Sequence, residues 1–264
     1  MKTVFVIAGF DPSGGAGVLA DVKAIAAQGC FGAAAITSLT FQNTLGVVGA
    51  EHVRPETLAA QIDPVLEDIE IHAAKTGMLP TVESVHVTAR ALGSRRHVPL
   101  VVDPVVRSTS GFDLVDDDAL DAIRSRLFPL ATVVTPNVVE AERLTRASVA
   151  NEREMEEAAR ALVHMGAEAA LITGGHLDLD GMSVDVLYDG SSVHVFADRR
   201  IDSTSTHGTG CTLASTIAAG LALGRPLPEA VAAAKAYVSK AILAAPRIGH
   251  GNGPVDHFFF LERP

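Results

Sequence analysis

Residues 3–8, TVFVIA, form an unbroken apolar and β-branched run that stops at Gly9. A strand with no polar alternation must be covered on both faces, so this one belongs in the middle of a parallel sheet. A glycine-bearing loop follows, and then Val18, Leu19, Val22, Ile25 and Ala26 recur with helical spacing up to Gly29. The strand, loop and helix unit then repeats. Strands are expected over 33–39, 73–77, 98–103, 132–135 and 169–173, with helices over 57–69, 81–92, 117–127 and 152–164 between them. Segments 184–188 and 192–196 flank Asp189-Gly190 as an antiparallel hairpin, and helices over 210–223 and 228–243 precede a glycine-rich stretch at 249–254. Such alternation specifies an α/β fold of three layers, with a mostly parallel central sheet that is mixed at one edge. With no fixed-period repeat, low-complexity tract or long linker, residues 1–264 read as a single domain.

Aromatic residues make up only 5% of the chain against 48% hydrophobic residues in all, so the core must be built from Ala, Val, Leu and Ile. Acidic residues outnumber basic ones by 31 to 21, a formal net charge of −10, and no Lys/Arg block offers the footprint that nucleic acid or an anionic membrane needs. An anionic ligand would have to be held by local devices such as helix N-termini, backbone amides or a metal. Cys30 and Cys211 are the two cysteines, without a CxxC pair, which points away from a disulfide framework or zinc site and towards a reducing cytoplasm. The Lys2-led apolar start reads as a buried first strand rather than a signal peptide, because Asp11, Pro12 and a glycine cluster follow at once. No run reaches the ~18 apolar residues that span a bilayer.

Thr206-His207-Gly208-Thr209-Gly210-Cys211, followed by TLASTIAAGLAL, is the strongest local signal for chemistry. Amides at a helix start are unpaired and lie at the positive end of the dipole, and glycines let a phosphate approach them closely. Taken alone, GTG before a helix is more often an ordinary turn and cap. The P-loop pattern G-x-x-x-x-G-K-[ST] does not occur, and Gly14-Gly15-Ala16-Gly17 does not fit the dinucleotide fingerprint G-x-G-x-x-G. Asp103 ends an apolar strand at the carboxyl edge of the sheet, where α/β proteins bind ligands and where a charge asks for a cation.

The chain carries AGFDPSGGAGVLADVKA, TSLTFQNTLGV, KTGML, VVDPVVRSTSG, TPNVVEAERL, TGGH, STHGTGCTLAS and GHGNGPVDHF, in that order and over nearly its whole length. In this it resembles the bacterial hydroxymethylpyrimidine and hydroxymethylpyrimidine-phosphate kinases of thiamin biosynthesis, within the ribokinase-like family. The resemblance implies a ribokinase-like α/β/α domain, working as a homodimer, that uses ATP and Mg2+ to phosphorylate 4-amino-5-hydroxymethyl-2-methylpyrimidine and then its monophosphate. Gly208, Thr209 and Gly210 would form the anion hole for the transferred phosphoryl group. Cys211 stands where many ribokinase-fold enzymes have an aspartate base, and the helix start suggests a thiol pKa below the usual ~8.5.

The same resemblance places Ala8, Gly9, Asp21, Gln42 and Met78 around the pyrimidine. Gln42 carries both a donor and an acceptor, which suits an amino group beside a ring nitrogen. Asn137 and Glu140 match the N-x-x-E motif, whose glutamate helps to hold magnesium through water, and Asp103 would face the metal and phosphates. Lys235 would reach the phosphates or stand solvated on the last helix. Thr173 occupies a position where many members carry lysine, leaving one nucleotide-phosphate contact without an obvious source. Pyridoxal kinase, of the same fold, is the nearest rival, and a non-catalytic ligand-binding relative is the rival from another class. The intact phosphoryl-transfer set argues against the latter.

Overall fold

The computed structural model describes residues 1–106, 111, 113–175, 177 and 179–262. Residues 107–110 of VVDPVVRSTSG and His176 of TGGH lie outside the described residues.

The expected alternation is present as β1 (Thr3–Phe10), α1 (Gly17–Ala27), β2 (Phe31–Asn43), β3 (Gly46–His52), α2 (Pro55–Asp68), β4 (Ala73–Thr76), α3 (Val82–Gly93), β5 (Leu100–Val102) and α4 (Asp117–Arg126). It continues through β6 (Val133–Val134), α5 (Val138–Thr145), α6 (Glu152–His164), β7 (Ala170–Thr173), β8 (Met182–Tyr188), β9 (Val193–Arg199), α7 (Thr209–Ala222) and α8 (Leu227–Leu243). Among the described residues, nine strands form one sheet in the order β3-β2-β1-β4-β5-β6-β7-β8-β9. The strands from β2 through β1, β4, β5 and β6 to β7 pair in parallel. Antiparallel pairs close both margins, β2 with β3 on one side and β7, β8 and β9 on the other.

The three layers follow from strand alternation. Phe5 and Ile7 of β1 point to one face and join Leu58, Ile62, Val85, Ile123 and Leu162 from α2, α3, α4 and α6. Val4, Val6 and Ala8 point to the other, against Val18 and Ile25 of α1, Leu213 and Ile217 of α7, and Val231 of α8. Helix α7 is buried along most of its length, between sheet, α1 and α8, because its residues are small. Where α7 meets α8, a Cβ on Gly220 would come within 2.9 Å of the Ala230 methyl.

One margin differs from expectation. A mixed sheet at one edge is expected, yet β2 runs on past residue 39 to Asn43 and folds back as β3, making the opposite margin antiparallel as well. None of the β3 residues is buried, so its sequence, with Gly46 and Gly49, has no apolar period to announce it. Helix α5, not among the expected helices, starts at the N-x-x-E motif with a reciprocal Asn137–Glu140 capping box.

β3 pairs with β2 from Ser38 outward, which leaves the outer backbone edge of Ile36 beyond the ladder. The Gln61 side chain of α2 takes over there, its Oε1 accepting from Ile36 N–H at 2.9 Å and its Nε2 donating to the Ile36 carbonyl at 3.0 Å. Gln61→Met, similar in volume, should therefore cost about 1–2 kcal/mol by unpairing both groups. Urea unfolding checks this, and a midpoint equal to wild type would show that water replaces the amide without loss.

Candidate active site

The carboxyl ends of the parallel strands open on a cavity of about 1010 Å³. β1 delivers Ala8 and Gly9 to its wall, the turn after β4 delivers Met78, β5 leads to Asp103, and β7 ends at Thr173. The start of α7 brings Gly208, Thr209, Gly210 and Cys211 to the same space. Gln42 arrives from the margin, on the part of β2 that extends beyond the sheet, at a register shift in the β2–β3 pairing. The carboxyl-edge position thus collects residues far apart in sequence.

No side chain caps α7. Its N-cap, Gly208, has φ +78°, and a Cβ there would collide with the carbonyl oxygen of Gly15. Only glycine lets the loop lie this close to the first loop while the helix starts into the cavity. First-turn amides without a side-chain cap, at the positive end of a helix, are an anion-binding arrangement. His207, just before them, bonds through Nε2 to Asp11 Oδ2 at 2.8 Å. Asp11 also accepts from Ser13 N–H, Ser13 Oγ–H and Ala16 N–H. Burial works against its charge, but His207 and these donors prevail and hold its carboxyl below the usual range. The pair ties the first loop to the GTG loop.

Behind the cavity lies Lys75 of β4, with no exposed surface, its Nζ 2.9 Å from Asp21 Oδ1 and 3.6 Å from Asp103 Oδ2. Burial alone would strip its proton, whereas Asp21, with Cys211 and Asp103 nearby, keeps the ammonium firmly charged. Asp21 also accepts from Ser215 Oγ–H at 2.7 Å. This corrects its expected place in the pyrimidine pocket. Asp21 is fully buried on the inner side of α1 and does not line the cavity, because its carboxylate is engaged in neutralising Lys75. The lysine itself escaped the list of candidates although AAKTG shows it, an isolated cation in a strand buried on both faces that must have a partner.

Two carboxylates, Asp103 and Glu140, face the cavity, Asp103 with Lys75 on its inner side. Glu140 Oε2 accepts from Asn137 N–H at 2.9 Å and Oε1 from Val106 N–H at 3.3 Å, while Asp103 Oδ2 is buried without a hydrogen-bond donor. Burial, with the Asp103 charge adding to it, pushes the Glu140 carboxyl up to about 8. Burial also pushes Asp103 up to about 6, against the pull of Lys75. Two such groups fit a hard divalent cation that takes its other ligands from phosphates and water, the usual habit of Mg2+.

Cys211 contradicts the expected low thiol pKa. Burial, reinforced by Asp21 and Asp103, outweighs Lys75 and the Gly17 N–H and pushes the thiol up to about 12, so it is neutral in the free protein. Helix polarity was legible in the sequence, but depth was not. Lys235 is not solvated either. It is buried at the cavity wall with Nζ 2.8 Å from Asp185 Oδ2, and Asp185 Oδ1 accepts from Gly174 N–H. Thr173 pairs with Asp185 in the β7–β8 register, so this ammonium stands beside the position where lysine is common.

Protons and a cation must compete for Glu140. The apparent Mg2+ dissociation constant, measured by calorimetry with bound nucleotide, should rise about tenfold per pH unit as pH falls from 8 to 7 and level off above 8.5. In Glu140→Gln it should be weaker and nearly flat. A wild-type constant unchanged between pH 7 and 9 would remove Glu140 from the metal's surroundings.

Known proteins resemble this chain over nearly its whole length. The sequence profile described as phosphomethylpyrimidine kinase matches residues 11–256. A thiamine biosynthesis bifunctional protein, ThiED, from Geobacter sulfurreducens is 48% identical over 98% of the chain, which spans only 53% of that longer protein. The hydroxymethylpyrimidine/phosphomethylpyrimidine kinase of Streptomyces coelicolor is 46% identical, covering 98% of this chain and 95% of its own. Among solved structures, Bacillus subtilis pyridoxal kinase with ADP superposes with a TM-score of 0.90 at 34% identity, over 98% of both chains.

Proposed function

The chain belongs to the phosphomethylpyrimidine kinase family, and on that premise we propose that it phosphorylates the hydroxymethyl group of 4-amino-5-hydroxymethyl-2-methylpyrimidine and then its monophosphate, using ATP. One observation carries the reading: a single cavity joins an uncapped helix start, two cation-seeking carboxylates and the donor–acceptor side chain of Gln42. Gly208, Thr209 and Gly210 would receive the γ-phosphoryl oxygens on their amides. Mg2+, when held by Asp103 and Glu140, would neutralise phosphate charge. Asn137 fixes the Glu140 end of that arrangement through the capping box. Lys235, already positioned by Asp185, would supply beside Thr173 the phosphate contact that a lysine provides in many relatives.

At the opposite end, Ala8, Gly9 and Met78 form the wall for the ring. Met78 is held by Thr37, whose Oγ–H donates to the Met78 carbonyl at 2.7 Å. A Cβ on Gly9 would lie 3.1 Å from Met78 Sδ, so the two share one flat surface. Gln42 would pair with the amino group and ring nitrogen, which is how a site rejects a ring lacking them. Attack by the substrate hydroxyl needs chiefly positioning and charge stabilisation. Cys211, beside the anion hole, would take the hydroxyl proton. A homodimer and a cytoplasmic location complete the proposal. The exposed Phe41, Leu45 and Val48 offer a second copy an apolar surface, and the free Cys30 and Cys211 suit a reducing compartment.

Purified protein with MgATP should convert the pyrimidine alcohol to the monophosphate and then the pyrophosphate, as followed by mass spectrometry. Phosphorylation of pyridoxal alone would transfer the assignment to the activity of the Bacillus subtilis relative. ATP binding without transfer to either ring would indicate a non-catalytic relative.

A base whose thiol lies near 12 is ionised in a fraction that grows with pH, so kcat should climb steadily from pH 7 to 9.5. Cys211→Asp should flatten that climb, and Cys211→Ala should lower kcat by roughly 10²–10⁴. A wild-type profile already flat above pH 7, with Cys211→Ala nearly as fast, would move the duty to Asp103.

A further inference from the structure

The glycine-rich segment 249–253 has no part in the chemistry described so far, yet it meets the tip of the ribbon made by β2 and β3. Thr44 is the contact. Its carbonyl accepts from Asn252 N–H at 2.8 Å, and its Oγ1 accepts from His250 N–H at 3.2 Å and Gly251 N–H at 3.4 Å. A Cβ on Gly251 would fall on the Thr44 carbonyl, and one on Gly249, where φ is +77°, would fall on the Thr44 side chain. Both glycines are therefore needed for the approach.

The segment is itself firmly tied. Gly253 donates its N–H to the Thr204 carbonyl at 3.2 Å and accepts from His207 N–H at 3.1 Å. Further along, Asp256 N–H bonds to Ala241 of α8, the Tyr237 hydroxyl donates to the His257 carbonyl at 2.6 Å, and His257 Nε2 meets Thr212 Oγ1 of α7 at 3.1 Å. The ribbon, in contrast, has little packing of its own. No β3 residue is buried, and Phe41, Leu45 and Val48 are exposed. Thr40 Oγ1–H anchors the base of the ribbon on the Phe10 carbonyl at 2.9 Å, and past that point a two-stranded ribbon is only marginally set within a single chain. Gln42 lies on this ribbon, two residues before Thr44.

We propose that the seating of Thr44 in the 249–253 segment is a latch that positions Gln42 in the pocket, making Thr44 a positioning residue for recognition of the substrate ring. The inference rests on Gln42 facing the pyrimidine, as read above. Because the segment also holds His207, the residue before the anion hole, the latch sets the ring-binding and phosphate-binding ends against one common support.

The test compares Gly251→Ala, Thr44→Val and Thr44→Ser, each in wild-type and Gln42→Leu backgrounds. Affinity for the aminopyrimidine is read by calorimetry, ATP affinity serves as control, and hydrogen–deuterium exchange is followed over residues 41–47. Gly251→Ala should weaken pyrimidine binding roughly tenfold, the scale of one lost buried hydrogen bond. Thr44→Val should move it in the same direction, Thr44→Ser should restore it, ATP affinity should hold, and exchange in the ribbon should rise. In the Gln42→Leu background the latch changes should add less than about twofold, since coupled residues are not additive. Three results overturn the proposal: unchanged exchange, faster exchange with unchanged ring affinity, or losses of equal size with and without Gln42. A wild type that binds pyridoxal but not the aminopyrimidine would refute the substrate reading instead, and the same comparisons made with pyridoxal would still decide the latch.

Discussion

Lys75 carries its ammonium at the centre of the sheet with no exposed surface, and a charge there persists only among carboxylates. Asp21 from α1 and Asp103 from the end of β5 supply them, and Ser215 of α7 completes the set through Asp21. β4, α1, α7 and the end of β5, from distant parts of the chain, are thereby joined around one ammonium. Removing one member of such a set leaves the others buried with a net charge, at a cost of ~3–5 kcal/mol in comparable cases. The arrangement also explains the chemistry above it. Asp103 has a neighbour that restrains its pKa but gives one oxygen no hydrogen bond, and Cys211 lies within range of both signs of charge.

Above this base, the cavity is built from polar groups that the fold leaves unmet. The start of α7 lacks a side-chain cap, Asp103 Oδ2 has no hydrogen bond among the described residues, and Glu140 holds a carboxyl that burial and Asp103 both make reluctant to ionise. Each departure costs the empty protein something, and each is relieved by a ligand of matching charge. Phosphate suits the amides and a divalent cation suits the carboxylates, and MgATP, the ligand proposed above, would bring both.

The parallel core was legible because strands covered on both faces must be apolar throughout, and TVFVIA, AALIT and their equivalents show it. The N-x-x-E motif was visible by resemblance, whereas the Asn137–Glu140 capping box that holds its two side chains together is seen only in the structure. Depth was not. Asp21 and Cys211 are each one helix position among several in sequence, and only the packed structure shows that one faces Lys75 below the cavity and that the other lies desolvated beside Asp21 and Asp103, which hold its thiol neutral. The β2–β3 ribbon was half-missed for a different reason. Its shape depends on backbone pairing and on glycines 200 residues away, and neither leaves an apolar period in the strands themselves.

The two sides of the sheet admit change in opposite directions. On the side of α2 to α6 the filler is Leu, Ile, Val and Phe, and trimming a side chain there opens a void whose cost depends on how far the neighbours relax. On the side of α1, α7 and α8 the filler is largely alanine, and at Gly220 there is no room for even one methyl group without displacing Ala230. Little can be trimmed from that layer, and almost anything added must push α7 along or off the sheet. Since α7 begins at the amides that open on the cavity, growth of a side chain near its far end would be felt as a shift at that cavity. The helix behaves as a piston rod in a close-fitting sleeve, and its small residues keep the bore true.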